Sequence, residues 1–190
     1  MSNIAAPLDD LIHSFAGFIS DGTTDLYNEF SFQHELGIFL RERLKNHKIQ
    51  FERNVSYFFR KKEDFLKKEI DIVAYSGDKK SLDFTIELKY PRNGQYPEQM
   101  FSFCKDIAFL EQLKESGFAG AALVILAEDR PFYSGSGEGI YGFFRSEKPL
   151  KGRIQKPTGK RDAEVFIKGS YVVKWKPITE KLKYALVEVS

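Results

Sequence analysis

The chain has 190 residues, 42% hydrophobic and 29% charged, with 29 Lys and Arg set against 27 Asp and Glu for a net charge of +2. That balance excludes a fibrous or low-complexity chain and a uniformly basic nucleic-acid binder, so any such role has to come from local clustering of charge. A single cysteine, Cys104, excludes an intrachain disulfide and a cysteine-rich zinc site, and fits a reducing cytoplasm. The length suits one domain over 1–190, and the 15% aromatic content, mostly Phe, predicts a core built on rings. Residues 1–15 lack the basic start and apolar run of a secretory leader, and the longest apolar run, 119–127, is too short for a membrane span. A cytoplasmic protein without a membrane partner is expected.

Leu8, Leu11, Ile12, Phe15, Phe18 and Ile19 recur at helical spacing after Pro7, predicting a helix over 8–19 that the polar run 20–23 ends. A second helix is predicted over 25–46, with Phe32, Leu36, Phe39, Leu40 and Leu44 as its buried stripe. Strand-like segments follow at 50–60, 69–75 and 82–90, the last two joined by a hairpin loop at 76–81. Pro97 opens another helix that ends near Gly117 and buries Met100, Phe103, Cys104, Ile107, Leu110 and Leu113. The unbroken apolar run 121–127 reads as a strand covered on both faces, so strand, helix and strand form a crossover unit. From Pro131 the character changes to a Gly- and Ser-rich loop at 133–139 and a loop rich in Lys, Arg, Pro and Gly at 145–161. Short strands at 165–167, 171–175 and 184–189 complete a C-terminal decoration over 131–190. The expected class is α/β: a mixed β-sheet flanked by helices in the order α-β-β-β-α-β, with extra C-terminal strands.

The chemistry concentrates on the hairpin. Side chains alternate along a strand, so Glu69 and Asp71 share one face while Ile70 and Ile72 take the other; Thr85, Glu87 and Lys89 are likewise separated from Ile86 and Leu88. A loop centred on Lys79 sets Asp71 opposite Glu87, and Lys89 across from Glu69. Directly opposed residues bring their β-carbons to about 5 Å, and two facing carboxylates repel, so a positive charge is required between them. A divalent cation is the natural candidate, since hard oxygen ligands suit Mg²⁺.

Asp71, the hairpin loop and the run Ile86-Glu87-Leu88-Lys89 resemble the motif of the PD-(D/E)xK, or restriction-endonuclease-like, nucleases, and the element order over 25–127 is similar to that family's core. The family's proline is Ile70 here. The resemblance implies a metal-dependent nuclease that hydrolyses phosphodiester bonds, with DNA ahead of RNA as partner and Mg²⁺ or Mn²⁺ as the ion. It implies that Asp71 and Glu87 hold the metal with the Leu88 carbonyl as a further ligand, and that Lys89 orients or activates the attacking water. The family often carries a glutamate on the first core helix facing the metal; Glu35 matches best, with Glu29 a weaker match and a solvent-facing stripe edge as the plain alternative. The rival expectation is a catalytically inactive nuclease-like fold that binds nucleic acid or protein; a homodimer is compatible with either.

Several basic residues are candidates for phosphate contact: Arg60 and Lys61 before the Asp71 strand, Arg92 and Arg130 just past core strands, Lys105 on the helix, and Arg153 in the C-terminal loop. Gln99 and Asp106 share Lys105's helix and could also reach the site. Lys67-Lys68 and the remaining cations of 145–161 extend the basic clusters, and Tyr133, Tyr141, Phe143 and Phe144 beside them would either stack on bases or pack in the core.

Overall fold

A computed structural model describes residues 7–59, 64–77, 79, 81–159 and 163–190. Helices α1 (Leu8–Ser20) and α2 (Glu29–Arg43) precede strands β1 (Lys48–Asn54), β2 (Glu69–Ser76) and β3 (Ser81–Lys89). Helix α3 (Tyr96–Glu115) leads to β4 (Gly120–Ala127), and then come a one-turn helix α4 (Tyr141–Arg145) and strands β5 (Leu150–Gln155), β6 (Glu164–Tyr171), β7 (Trp175–Pro177) and β8 (Lys183–Glu188). Six strands form one mixed sheet in the order β1-β2-β3-β4-β8-β7, with β3 and β4 parallel and the other neighbours antiparallel. β5 and β6 make a separate two-stranded ribbon.

The two faces of the sheet carry two cores. Ile72, Ala74, Phe84, Ile86, Leu88, Val124 and Leu126 meet Phe32, Leu36, Phe39 and Leu40 of α2 and Leu11, Ile12 and Phe15 of α1. On the other face Val73, Tyr75, Leu123, Ile125 and Val187 meet α3, whose Met100, Phe103, Cys104, Ile107, Leu110 and Leu113 are fully buried. Each such side chain contributes roughly 1.5–3 kcal/mol on leaving water, which is what clamps both helices to the sheet. β4 is indeed apolar throughout because it is covered on both sides.

Some boundaries differ from those expected. α2 is shorter than 25–46: Asn28 and Ser31 cap each other's backbone amides and start the helix at Glu29. β1 stops at Asn54, where that side chain caps the amide of Ser56 and turns the chain into a short 3₁₀ turn at Val55–Tyr57. The stretch 145–161, expected as a loop, contains β5: Leu150 and Ile154 are buried, and the ladder to β6 satisfies its backbone. α4 was also not expected; Phe144 anchors it in the core at 1% exposure. The ribbon is tied to α3 by buried Glu111, which accepts from the amides of Lys168 (2.9 Å) and Gly169 (2.7 Å) and from the Tyr171 hydroxyl (3.0 Å).

Among the described residues, no helix is long and apolar enough to cross a membrane.

Candidate active site

The β2–β3 ladder pairs Ile72 with Ile86, Val73 with Thr85 and Ala74 with Phe84, a register centred on Lys79. Nearer the turn a bulge between Ala74 and Tyr75 shifts the pairing by one, and Lys79 takes a positive φ of 69° there. At the far end, next to Ile72 and Ile86, side chains of the two strands take over from the backbone. The Asp71 amide donates to Glu87 Oε1 at 3.2 Å, and the Leu88 amide donates to Asp71 Oδ2 at 2.8 Å. Each carboxylate is therefore oriented by the backbone of the opposite strand.

Two more elements close on this point. From α3, buried Asp106 reaches down to the sheet. From the segment before β2, Lys67 extends its ammonium among the acids: it donates to Glu87 Oε2 and to Asp106 Oδ1 (3.1 Å), and lies 4.0 Å from Asp71 Oδ1. Lys89 Nζ donates to the Leu88 carbonyl at 2.8 Å and lies 3.4 Å from Asp106 Oδ2 and 3.6 Å from Glu29 Oε1. Glu29, the first residue of α2, also accepts from the Tyr90 amide at 3.0 Å. Gln33, one turn on, donates to the Asp71 carbonyl (2.9 Å) and to Glu52 (2.6 Å), which fixes the Asp71 backbone from the α2 side. A cavity of about 180 Å³ opens here, lined by Glu29, Phe30, Gln33, Glu52, Asp71 and Leu88. At about 30 Å³ per water it has room for about six waters or for a phosphate group.

Acids outnumber ammoniums in the cluster. Three buried or nearly buried carboxyl groups, Asp71, Glu87 and Asp106, face Lys67 and Lys89, and Glu29 adds a fourth beside Lys89. Burial first, then the Asp71 and Asp106 carboxylates, push the Glu87 carboxyl up to about 8. Burial also raises Asp71, against the pull of Lys67 and Lys89. The two lysines shift upward despite burial, because Glu87, Asp106 and Asp71 hold the Lys67 proton, and Asp106, Glu29 and Asp71 hold that of Lys89. The acid and the base in contact, Glu87 and Lys67, both keep protons more tightly than usual, Glu87 first through burial and then through its neighbouring carboxylates, Lys67 through those carboxylates against burial.

Among the described residues, no three His, Cys, Asp or Glu side chains are spaced to hold a metal ion as they stand. In kind the donors fit one. The carboxylates of Asp71, Glu87 and Asp106 and the Leu88 carbonyl are hard oxygens, and Asp106 Oδ2 is buried without a hydrogen-bond partner. Their spacing is that of acids gathered round an ammonium, and Lys67 supplies the positive charge that facing carboxylates demand. A divalent ion in place of Lys67 would bring one more positive charge to the same carboxylates.

Asp71, Glu87, Leu88 and Lys89 thus come together as the hairpin register requires. Glu35 does not join them: two residues past Gln33, it lies on the other side of α2 and pairs with His34 at 3.0 Å, while Glu29 provides the α2 carboxylate. Glu69 is exposed opposite Asn54, and among the described residues no ion pair joins it to Lys89. On α3 the residue that reaches the site is Asp106. Lys105 is exposed, with Nζ 5.9 Å from the Phe101 ring centre, and Gln99 bonds Asn93 at 3.0 Å.

The other basic candidates have mostly local partners. Arg92 bonds Glu128 (2.5 Å) and the Tyr90 hydroxyl (2.7 Å), and Arg153 lies 3.3 Å from Glu164. Arg145 is spent on the carbonyls of Pro131 and Ser136, where it holds the Gly-rich loop. Arg130 is exposed in an open cleft that it shares with Glu128, Glu180, Lys181 and Lys183. Arg60 and Lys61 lie outside the described residues, as do Lys62, Lys160 and Arg161. Of the aromatic residues expected to stack or pack, Phe144 packs, and Tyr133, Tyr141 and Phe143 lie half-buried against the same core.

Lys67 reads in the sequence only as part of a basic cluster, and Gln33 and Glu52 are passed over there. Strand alternation carried back from Asp71 through Glu69 puts Lys67 on the acids' face, a signal that was available although Lys67 precedes the strand. No protein-family profile, curated protein or solved structure matches the chain.

Proposed function

We propose that this chain is a divalent-metal-dependent phosphodiesterase acting on nucleic acid, DNA ahead of RNA, on a restriction-endonuclease-like core. The observation that carries this reading is the convergence of Asp71, Glu87 and Asp106 on one buried point of the sheet with Lys89 beside them. Structural stability gives no reason to gather three acids there, since like charges at such range oppose folding. The order from α2 to β4, helix, three-stranded meander, helix and parallel strand, agrees with the restriction-endonuclease-like arrangement.

Asp71, Glu87 and the Leu88 carbonyl would hold Mg²⁺ or Mn²⁺, with Asp106 adjoining. Such an ion supplies Lewis acidity toward water and phosphate oxygen. The rest falls to the chain's own groups. Lys89, held in its charged form by Asp106 and Glu29, has no free lone pair and acts as a donor, orienting water or a phosphate oxygen. The Leu88 amide keeps the Asp71 carboxylate in place, and Gln33 holds the Asp71 backbone through its carbonyl.

The test is incubation of the pure protein with DNA and RNA of varied structure, with Mg²⁺ or Mn²⁺ and with chelator, beside Asp71→Ala and Lys89→Ala. Each substitution is expected to lower the cleavage rate on the order of 10²-fold or more. Cleavage that survives both, or that proceeds in chelator, sinks the reading. A second reading, a nuclease-like fold that binds without cutting, draws support from Lys67 in the midst of the acids. Nucleic-acid binding that needs no metal and leads to no cleavage would favour it.

A further inference from the structure

Lys67 is delivered to the acids by a short strap with its own moorings. The Leu66 amide donates to Gln112 Oε1 at 2.8 Å, and Gln112 Nε2 donates back to the Asp64 carbonyl at 3.1 Å, so one α3 side chain brackets the strap from both sides. Beyond Lys67 the chain is pinned again, where the Val55 amide donates to the Lys68 carbonyl at 2.9 Å. Between these ties the Lys67 side chain passes 5.7 Å from the centre of the Phe109 ring and ends among Glu87, Asp106 and Asp71. Its side chain remains 31% exposed, unlike those of the acids it serves, so it has a way out toward solvent.

We propose that Lys67 is a built-in counter-cation that occupies the metal position of the unloaded site and must withdraw when a divalent ion enters. The inference rests on the metal-site reading above and adds a gate to it. The ammonium bonds two of the acids and faces the third, so it and an ion compete for the same oxygens. A divalent ion brings one more positive charge to the same carboxylates than the ammonium does, which favours the exchange. The Gln112 bracket lies on the strap's backbone, so the side chain can swing away while the strap stays docked.

The experiment is Mn²⁺ binding by the full chain, read from the electron paramagnetic resonance signal of the free ion, for wild type, Lys67→Met and Lys67→Arg. Removing the competitor from buried acids is expected to tighten Mn²⁺ binding on the order of tenfold or more in Lys67→Met, and Lys67→Arg should bind no better than wild type. A direct reading on the wild type accompanies it: trace acetylation of lysines, resolved by mass spectrometry, should find Lys67 protected without metal and several-fold more reactive once Mn²⁺ is bound. That measurement stands if Lys67→Met does not fold. Equal or weaker Mn²⁺ binding by a folded Lys67→Met overturns the gate and leaves the metal site intact, as does unchanged Lys67 reactivity in wild type that has bound the ion. No Mn²⁺ binding by any form overturns gate and metal site together. Metal binding with the expected Lys67 response but no cleavage of any nucleic acid upholds the gate and removes only the assigned reaction.

Discussion

Replacing Glu87 with Gln preserves its shape and its acceptor for the Asp71 amide while removing its charge. In the fold the Glu87 carboxyl is pushed from 4.5 up to about 8, by burial first and then by Asp71 and Asp106. A group whose proton is held more tightly in the fold than in the open chain stabilises fully below the open-chain value and loses that contribution as pH rises through the folded value. Wild type should therefore weaken between about pH 4.5 and 8. At about 1.4 kcal/mol per pH unit the ceiling is near 5 kcal/mol, and rearrangement of Lys67 and entry of water lower the expectation to about 2–4 kcal/mol. Glu87→Gln lacks this loss, so its stability relative to wild type should rise by that amount between pH 5 and pH 9, measured by urea unfolding at each pH. Mg²⁺ at pH 8.5 should then recover stability in wild type and far less in the variant. If the gap between the two proteins is the same at both pH values to within about 0.5 kcal/mol, Glu87 is not an acid kept protonated by its surroundings and the electrostatic account of the site is wrong.

Other outcomes follow from the same geometry. Glu29→Gln, which removes the carboxylate beside Lys89, should lower the proposed nuclease activity roughly tenfold, whereas Glu35→Gln should leave it within about twofold; the reverse order in a cleavage assay would restore Glu35 to the site. Glu111→Ala strips three donors of their acceptor and should cost about 3–5 kcal/mol in chemical denaturation, an effect refuted by a loss below about 1 kcal/mol. Gly142→Ala puts a Cβ 2.6 Å from the Gly137 carbonyl oxygen, a backbone atom, and should cost about 1–3 kcal/mol in thermal or urea unfolding; an unchanged midpoint would mean that the Gly-rich loop yields freely.

Much of this architecture is written in local pattern. The period of two along 69–75 and 82–90, and the turn residues between them, place Asp71 and Glu87 on one face and centre the hairpin on Lys79, and the ladder runs in that register from Ile72 to Ala74. The heavily apolar run 121–127 is enough to expect a strand covered twice, because only burial on both faces tolerates such a run. Local pattern is silent where a short element is set by its neighbours. β5 forms in a stretch rich in Lys, Gly and Pro because β6 offers a ladder and α3 a surface, and neither fact is visible from the stretch itself.

The same division runs through the candidate site. Spacing alone puts two acids and a lysine on the face of one hairpin and calls for a positive charge between the acids, since alternation and Coulomb repulsion require nothing more. What meets that hairpin depends on long-range packing: Asp106 from α3, Glu29 rather than Glu35 from α2, and Lys67 among the acids. Those choices depend on how two helices rotate about their axes and how a strap docks on Gln112, and such rotations are settled by the packing of both cores at once.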